Sequence, residues 1–161
     1  MADPKRTLET LARYQGRDLR LDYASGQGFF EDADIATGRL SELKPDRDLY
    51  LVDGIENLTQ ALANRLKTRQ GELAALGHPD YGSRHHELIG EPNVERTRNL
   101  IKLYVLQALR QEPRVERVLS AKVMAEHDPP RETVRLELSL RVLGQKAPLN
   151  LVLPFSLEVV P

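Results

Sequence analysis

From Asp53 onward the spacing of apolar positions changes twice, and each change marks a change of element. Ile55, Leu58, Leu62 and Leu66 recur at steps of three and four, which places them on one face of a helix over 54–69. Asp53 followed by Glu56 resembles a capping arrangement. Gly71 can take the left-handed conformation that stops a helix, and Gly77 and Pro79 keep it from resuming. Pro79-Asp80-Tyr81-Gly82 reads as a tight turn, with Ser83 capping a short helix over 84–89 that Gly90 closes. Val94, Thr97, Ile101, Tyr104, Val105, Ala108 and Leu109 then make one continuous stripe, while Glu95, Arg96, Lys102, Arg110 and Gln111 populate the other faces of this longer helix. Pro113 stops it and disfavours the helical region for Glu112, so the chain turns there from helix into sheet.

After Arg114 the period becomes two. Val115 to Glu126 is a less regular strand, with Leu119, Ala121 and Val123 on one side. Val134, Leu136, Leu138, Leu140 and Val142 alternate with Arg135, Glu137, Ser139 and Arg141, the pattern of a half-buried strand. A turn over 144–148 leads to Leu149, Leu151, Leu153, Phe155, Leu157 and Val159, again alternating. Pro154 within this run has no N–H for a ladder, so the strand belongs on an edge. Before Asp53 the signal is thin: a helix-like piece from Leu8 to Tyr14, the alternating Leu19-Arg20-Leu21-Asp22-Tyr23, then Ser25-Gly26-Gln27-Gly28 and the acidic Glu31, Asp32 and Asp34. This reads as an irregular arm over 1–52 with one short strand, longer than loop statistics favour and suited to ordering by a partner. The expected fold is α+β over 53–161: a helical hairpin with a short connecting helix, packed on a three-stranded antiparallel C-terminal sheet.

Charge and composition narrow the chemistry. Lys plus Arg number 23 against 24 Asp plus Glu, and basic residues interleave with acidic ones, so neither nucleic acid nor an anionic membrane is an expected partner. With no cysteine, thiol catalysis, disulfides and Cys-based metal sites are excluded. No apolar run approaches the roughly 20 residues of a membrane helix, and the start lacks a secretory pattern, so assembly in the cytoplasm is expected. His85-His86-Glu87 offers ligand atoms, but adjacent helical residues point about 100° apart and the four-residue spacing of a helical two-histidine site is missing; histidines at the surface or packed in a turn fit better. Glu72, Asp80, Glu87 and Glu91 lie close enough in sequence for a glycosidase pair, but the region has no aromatic platform for sugars other than Tyr81, and pairing of Glu72 and Glu87 with backbone donors, Arg69 or Arg84 accounts for them better. No phosphate loop, catalytic triad or nucleophile elbow is present, and no cofactor is implied.

Four landmarks in order carry a resemblance: Asn57-Leu58-Thr59-Gln60-Ala61-Leu62, Thr68-Arg69-Gln70-Gly71-Glu72, Pro79-Asp80-Tyr81-Gly82-Ser83 and Glu112-Pro113-Arg114. Together they resemble the GPW-type baseplate wedge family, the sheath-initiating adaptors of contractile phage tails, type VI secretion systems and extracellular injection particles. The likeness runs from about Asp53 to Val123 and more loosely to Pro161. It implies a structural part rather than an enzyme, present in several copies in a sixfold baseplate and later carried in the tail or injection particle. It also implies contacts with other wedge proteins, with sheath protein and with tube or hub proteins. By the same resemblance Glu112, Pro113 and Arg114 would touch the wedge core, with Arg114 forking onto a carboxylate or carbonyls of a neighbour. The terminal hairpin bearing Val134, Leu136, Leu138, Leu140, Val142, Leu151, Leu153, Phe155, Leu157 and Val159 would take on sheath by strand addition. A peptidoglycan-cleaving, lysozyme-like enzyme using Glu72 with Glu87 or Glu91 is the alternative, and a free-standing binding module a third reading.

Overall fold

The computed structural model describes residues 16–23, 33–41, 44–126 and 132–159, so the Leu8–Tyr14 piece, Ser25-Gly26-Gln27-Gly28 and Glu31-Asp32 lie outside the described residues. The chain divides into two compact units, 1–61 and 62–161. Among its described residues the first holds six short strands: β1 (Arg17–Leu19), β2 (Leu21–Tyr23), β3 (Ala33–Ile35), β4 (Thr37–Ser41), β5 (Lys44–Leu49) and β6 (Leu51–Asp53). They pair antiparallel as β1 with β6, β2 with β3 and β4 with β5.

These three ribbons meet at the single residues between them. The N–H of Arg20 donates to Tyr50 O at 2.8 Å, that of Ala36 to Arg20 O at 2.8 Å, and that of Tyr50 to Ala36 O at 3.0 Å, so the junction satisfies its own backbone groups in a closed cycle. Beside it the buried Gln60 amide accepts from the Leu21 N–H at 2.8 Å and donates to Leu19 O at 2.9 Å. The alternating Leu19–Tyr23 segment is therefore a strand, but one broken at Arg20 to make the junction. Ile35, Leu49 and Leu51, one on each ribbon, are about half exposed, and positions that stay in water impose no period on the sequence; this is why the one expected strand is six among the described residues.

Helix α1 (Gly54–Lys67) stops two residues short of its expected end. Asp53 is the last residue of β6, and its carboxylate pairs with Arg17 at 3.3 Å. In the second unit the C-terminal part of α1 is followed by single 3-10 turns at Ala74–Leu76 and Arg84–Leu88, helix α2 (Glu95–Arg110) and strands β7 (Val115–Ala125), β8 (Thr133–Val142) and β9 (Leu149–Ser156). The α2 stripe begins at Thr97 rather than Val94, because Val94 is extended, precedes the first turn and stays exposed. Ile101, Val105, Ala108 and Leu109 are buried as their spacing requires.

The antiparallel sheet has the order β7-β8-β9. Two hydrogen bonds fix its parity: Leu157 N–H to Glu132 O at 3.0 Å and Glu126 N–H to Thr133 O at 3.1 Å. Since hydrogen-bonded pairs alternate along an antiparallel ladder, even-numbered residues of β8 bond β9, and odd-numbered ones bond β7 over the regular stretch 133–139. The alternating apolar residues of β8, with Leu151, Phe155 and Leu157, are buried, as are Leu62, Leu66 and, on α2, Ile101, Val105 and Leu109, each contributing about 1.5–3 kcal/mol. β7 departs from expectation at Leu119: a register shift between Val118 and Ser120 bulges it out, 42% exposed, while Ala121 and Val123 keep their partners Leu138 and Leu136.

Candidate interface: the Glu112 corner and the free strand edge

Three of the landmarks, those at 68–72, 79–83 and 112–114, meet in the second unit. Beyond α1 the backbone at Arg69 forms a parallel bridge with Ser83, through Ser83 N–H to Thr68 O at 2.9 Å and Gln70 N–H to Ser83 O at 3.2 Å. Only glycine suits position 82, whose φ is +101° and where a Cβ would stand 2.6 Å from Thr68 O. Ser83 is extended ahead of the 3-10 turn, but its hydroxyl does not cap that turn; it lies 2.7 Å from His85 Nδ1 instead.

Tyr81, carried by this turn, is covered by the Arg65 guanidinium at 4.5 Å from the ring centroid. Burial pushes the Tyr81 phenol up from its ordinary value. Arg65 continues to Gln111 Oε1 at 3.3 Å and to the Glu112 carboxylate at 4.0 Å. Glu112 is in turn gripped by Arg114 through Nε at 2.6 Å and Nη2 at 3.1 Å, with the Arg114 N–H donating to the same carboxylate at 3.3 Å. The row Tyr81, Arg65, Glu112, Arg114 thus ties the 78–82 turn and the end of α1 to the corner where α2 hands over to β7. Pro113 sits inside a turn closed by Val115 N–H to Glu112 O at 3.0 Å.

This is not a solvated surface pair, because the side chains of Glu112 and Arg114 are only 6% and 17% exposed. Within the chain Arg114 forks onto Glu112, two residues away, which the closed turn brings within reach. Burial alone would push the Glu112 carboxyl up, but the hydrogen bonds and charge of Arg114, with Arg65, outweigh it and hold the group below the usual carboxylate range. Arg65 escaped the sequence reading because it lies off the apolar face of α1, and nothing local announces a partner 47 residues on. Its position in the turn before the Thr68 stop was the one available signal.

The histidines pack in the turn. His85 is buried beside the half-buried His86 at 4.3 Å between ring centroids, and both meet the edge of Phe155. His86 Nε2 donates to Leu66 O at 2.9 Å. Burial, then the charge of His86, lowers His85 to about 3, and burial lowers His86 as well. Glu72 accepts the Arg69 N–H at 3.1 Å, and Glu87 accepts a two-pronged bond from Arg84 at 3.0 Å on each oxygen. Hydrogen bonds from Arg84 lower Glu87, the opposite of what a general acid needs.

The expected strand-adding residues divide by strand. β8 is the middle strand, with both its edges paired, and Val134, Leu136, Leu138, Leu140 and Val142 are buried in this chain's own core. They support the sheet and offer no edge. β9 is an edge strand, as Pro154 required. Pro154 stands opposite Arg135 in a pair without hydrogen bonds, so the N–H it lacks would have pointed away from β8. The outward row of β9 therefore offers the N–H groups of Asn150, Val152 and Ser156 and the carbonyls of those residues and Pro154. Val152 is 57% exposed, and Val159, beyond the strand end, is 63% exposed.

The sequence matches the family described as contractile injection system sheath initiator over residues 17–141. The match takes in the N-terminal ribbons as well as the four landmarks. Among solved structures, a 1.44 Å crystal structure from Geobacter sulfurreducens that carries the provisional name tail lysozyme is similar to this chain at 26% identity. It has a TM-score of 0.55 and covers 63% of this chain and 89% of its own. No curated protein matches.

Proposed function

This chain belongs to the contractile injection system sheath initiator family, and from that premise we propose that it seeds the sheath by accepting a strand on the outer edge of β9. A sheath initiator is a structural component of the baseplate, acting with other baseplate and sheath components as part of the injection particle. The observation that carries the finer reading is the row of outward backbone groups at Asn150, Val152, Pro154 and Ser156 beside an apolar floor that includes the buried Leu151, Phe155 and Leu157. The incoming strand bonds on either side of Pro154 and accepts nothing from it. The Glu112-Pro113-Arg114 corner is the contact to the wedge core: its internal ion pair sets the shape, and exposed Pro113 with the flank of Arg114 meets the neighbour. Several copies around the tube would present these edges together, with the 1–52 region outside this domain.

The test is Val152→Pro. Val152 stands in a pair without hydrogen bonds to β8, so the change removes one outward N–H and an exposed side chain, leaving the ladder and core in place. Particles carrying it should show baseplates without sheath by electron microscopy, while the isolated chain melts within a few degrees of the unaltered one. Normally sheathed particles would sink the β9 assignment. Truncation after Gly144 is a blunter experiment, because it also strips Leu151, Phe155 and Leu157 from the core.

The provisional name of the Geobacter protein raises peptidoglycan cleavage as a second reading. Of its candidate acids, Glu72 accepts from the Arg69 N–H and Glu87 is held by the Arg84 guanidinium, while Glu91 lies at a recess by Gly90 and Pro92. Purified protein is expected to release no soluble sugar from peptidoglycan; release that disappears on Glu72→Gln would establish an enzyme.

A further inference from the structure

The sheet is electrically polarised along its strands. On its outer face, opposite the core, Arg117 of β7 stands directly across from Arg141 of β8, and Lys146 follows in the next turn. Like charges in direct cross-strand register are unfavourable. Among the described residues neither arginine has a carboxylate partner; Arg141 donates to the Lys146 carbonyl at 3.1 Å, and the ion pair on this face joins Arg135 to Glu137 at 3.2 Å, farther along β8. Leu119 and Leu143 are exposed near this basic end.

The opposite end of the same sheet carries the reverse charge. Glu126 closes β7, Glu132 precedes β8 and Glu158 follows β9. With Glu91 and the exposed Val159 they border a recess of about 910 Å³. None of these four carboxylates has an ion-pair partner among the described residues. Nine steps along the strand lead from Glu132 to Arg141, about 30 Å at the usual rise, several times the screening length of about 8 Å at physiological salt. The two ends therefore cannot neutralise each other within one molecule.

We propose that the outer sheet face at Arg117 and Arg141 is a docking surface for a second copy of this chain, which presents its acidic recess to it. Both halves of the match are present on one molecule at opposite ends, and each pairs charge with exposed apolar side chains. Such a contact is heterologous, head to tail, so it closes into a ring or continues as a filament according to its rotation. It needs neither the outward backbone row of β9 nor the Glu112–Arg114 ion pair, although it adjoins both: Leu143 N–H donates to Arg114 O at 3.0 Å and Val159 continues the chain beyond β9. A nucleic-acid backbone fits the face less well: Glu137 stands on it, and no aromatic side chain of the three strands lies beside the arginines for a base to stack on.

Sedimentation velocity of the full chain tests this. Self-association should be visible at about 50 mM salt and weaken about tenfold by about 500 mM. Arg117→Glu with Arg141→Glu should abolish it, as should Glu126→Lys with Glu132→Lys. An equimolar mixture of the two variants should restore a heterodimer that neither forms alone, since each then keeps one native and one reversed surface. Thermal melts of both variants show whether either has simply unfolded. If one has, the milder Arg117→Gln with Arg141→Gln should still weaken association. A chain that stays monomeric at low salt and high concentration overturns the proposal, as does association indifferent to these changes. Binding of a single-stranded oligonucleotide in place of a second copy would assign the face to phosphate instead and would also overturn it.

Discussion

Glu112→Gln should destabilise the chain by about 3 kcal/mol, because removing one member of a buried charge cluster leaves the others without compensation. The Arg65, Glu112 and Arg114 side chains are only 13%, 6% and 17% exposed. Without the carboxylate, two guanidinium groups remain near each other under the 78–82 turn. Urea unfolding at neutral pH measures the loss, which corresponds to a fall of roughly 6–12 °C in Tm for a chain of this size. Adding Arg114→Met should recover part of it, since an apolar replacement of the pair costs less than a broken one. The same carboxylate has an acid-side signature. Its folded value is held below the usual carboxylate range, so the stability it contributes is present above that range and is lost as pH falls through the folded value. Glu112→Gln should remove this acid-side slope. A loss below about 0.5 kcal/mol would mean that the corner is an ordinary surface pair.

The second large effect is the loss of stability in mild acid. His85 is buried and held neutral down to about 3. In the unfolded chain an ordinary histidine takes up its proton near 6.5, so between about 6.5 and 3 the unfolded state binds a proton that the folded state refuses, and stability falls with pH across that window. By pH 5 the cost is about 2 kcal/mol from His85 alone, and His86, lowered in the same direction by burial, adds to it. Urea midpoints at pH 7.5 and pH 5 check this. His85→Gln, which can still reach the Ser83 hydroxyl but does not titrate, should flatten the slope, and adding His86→Gln should flatten it further. An equal fall in the unaltered chain and the double variant would place the acid sensitivity elsewhere.

Periodicity carried most of the second unit. Steps of three and four located both helices because one face of each is buried, and alternation located β8 and β9 because one face of the sheet is buried while the other is exposed. Pro154 placed β9 at an edge from a single missing donor. The N-terminal ribbons left no period in the sequence, since Ile35, Leu49 and Leu51 stay about half exposed; what joins them is a cycle of backbone hydrogen bonds at Arg20, Ala36 and Tyr50, which no side-chain pattern records. Leu119 was misplaced for a related reason, since a bulge shifts the phase of alternation without changing the residues that alternate.

The corner shows the same division. Glu112-Pro113-Arg114 announced a helix stop and a local pair of opposite charges, because proline geometry acts between neighbours in sequence. Whether that pair would be buried or solvated, turned inward or toward a neighbour, depended on Arg65 and Tyr81, brought in from α1 and from a turn thirty residues earlier. The surface proposed for strand addition divides likewise: alternation marked both strands of the hairpin, but strand order leaves β8 paired on both sides and β9 at an edge. The sequence by itself determined what is governed by backbone dihedrals and by which face must leave water, namely the helices, the C-terminal strands, the corner and an edge. Tertiary structure alone decided which strands form the edges, how the charges pair and where they are left unpaired at the two ends of the sheet, because those depend on distances between residues far apart in the chain.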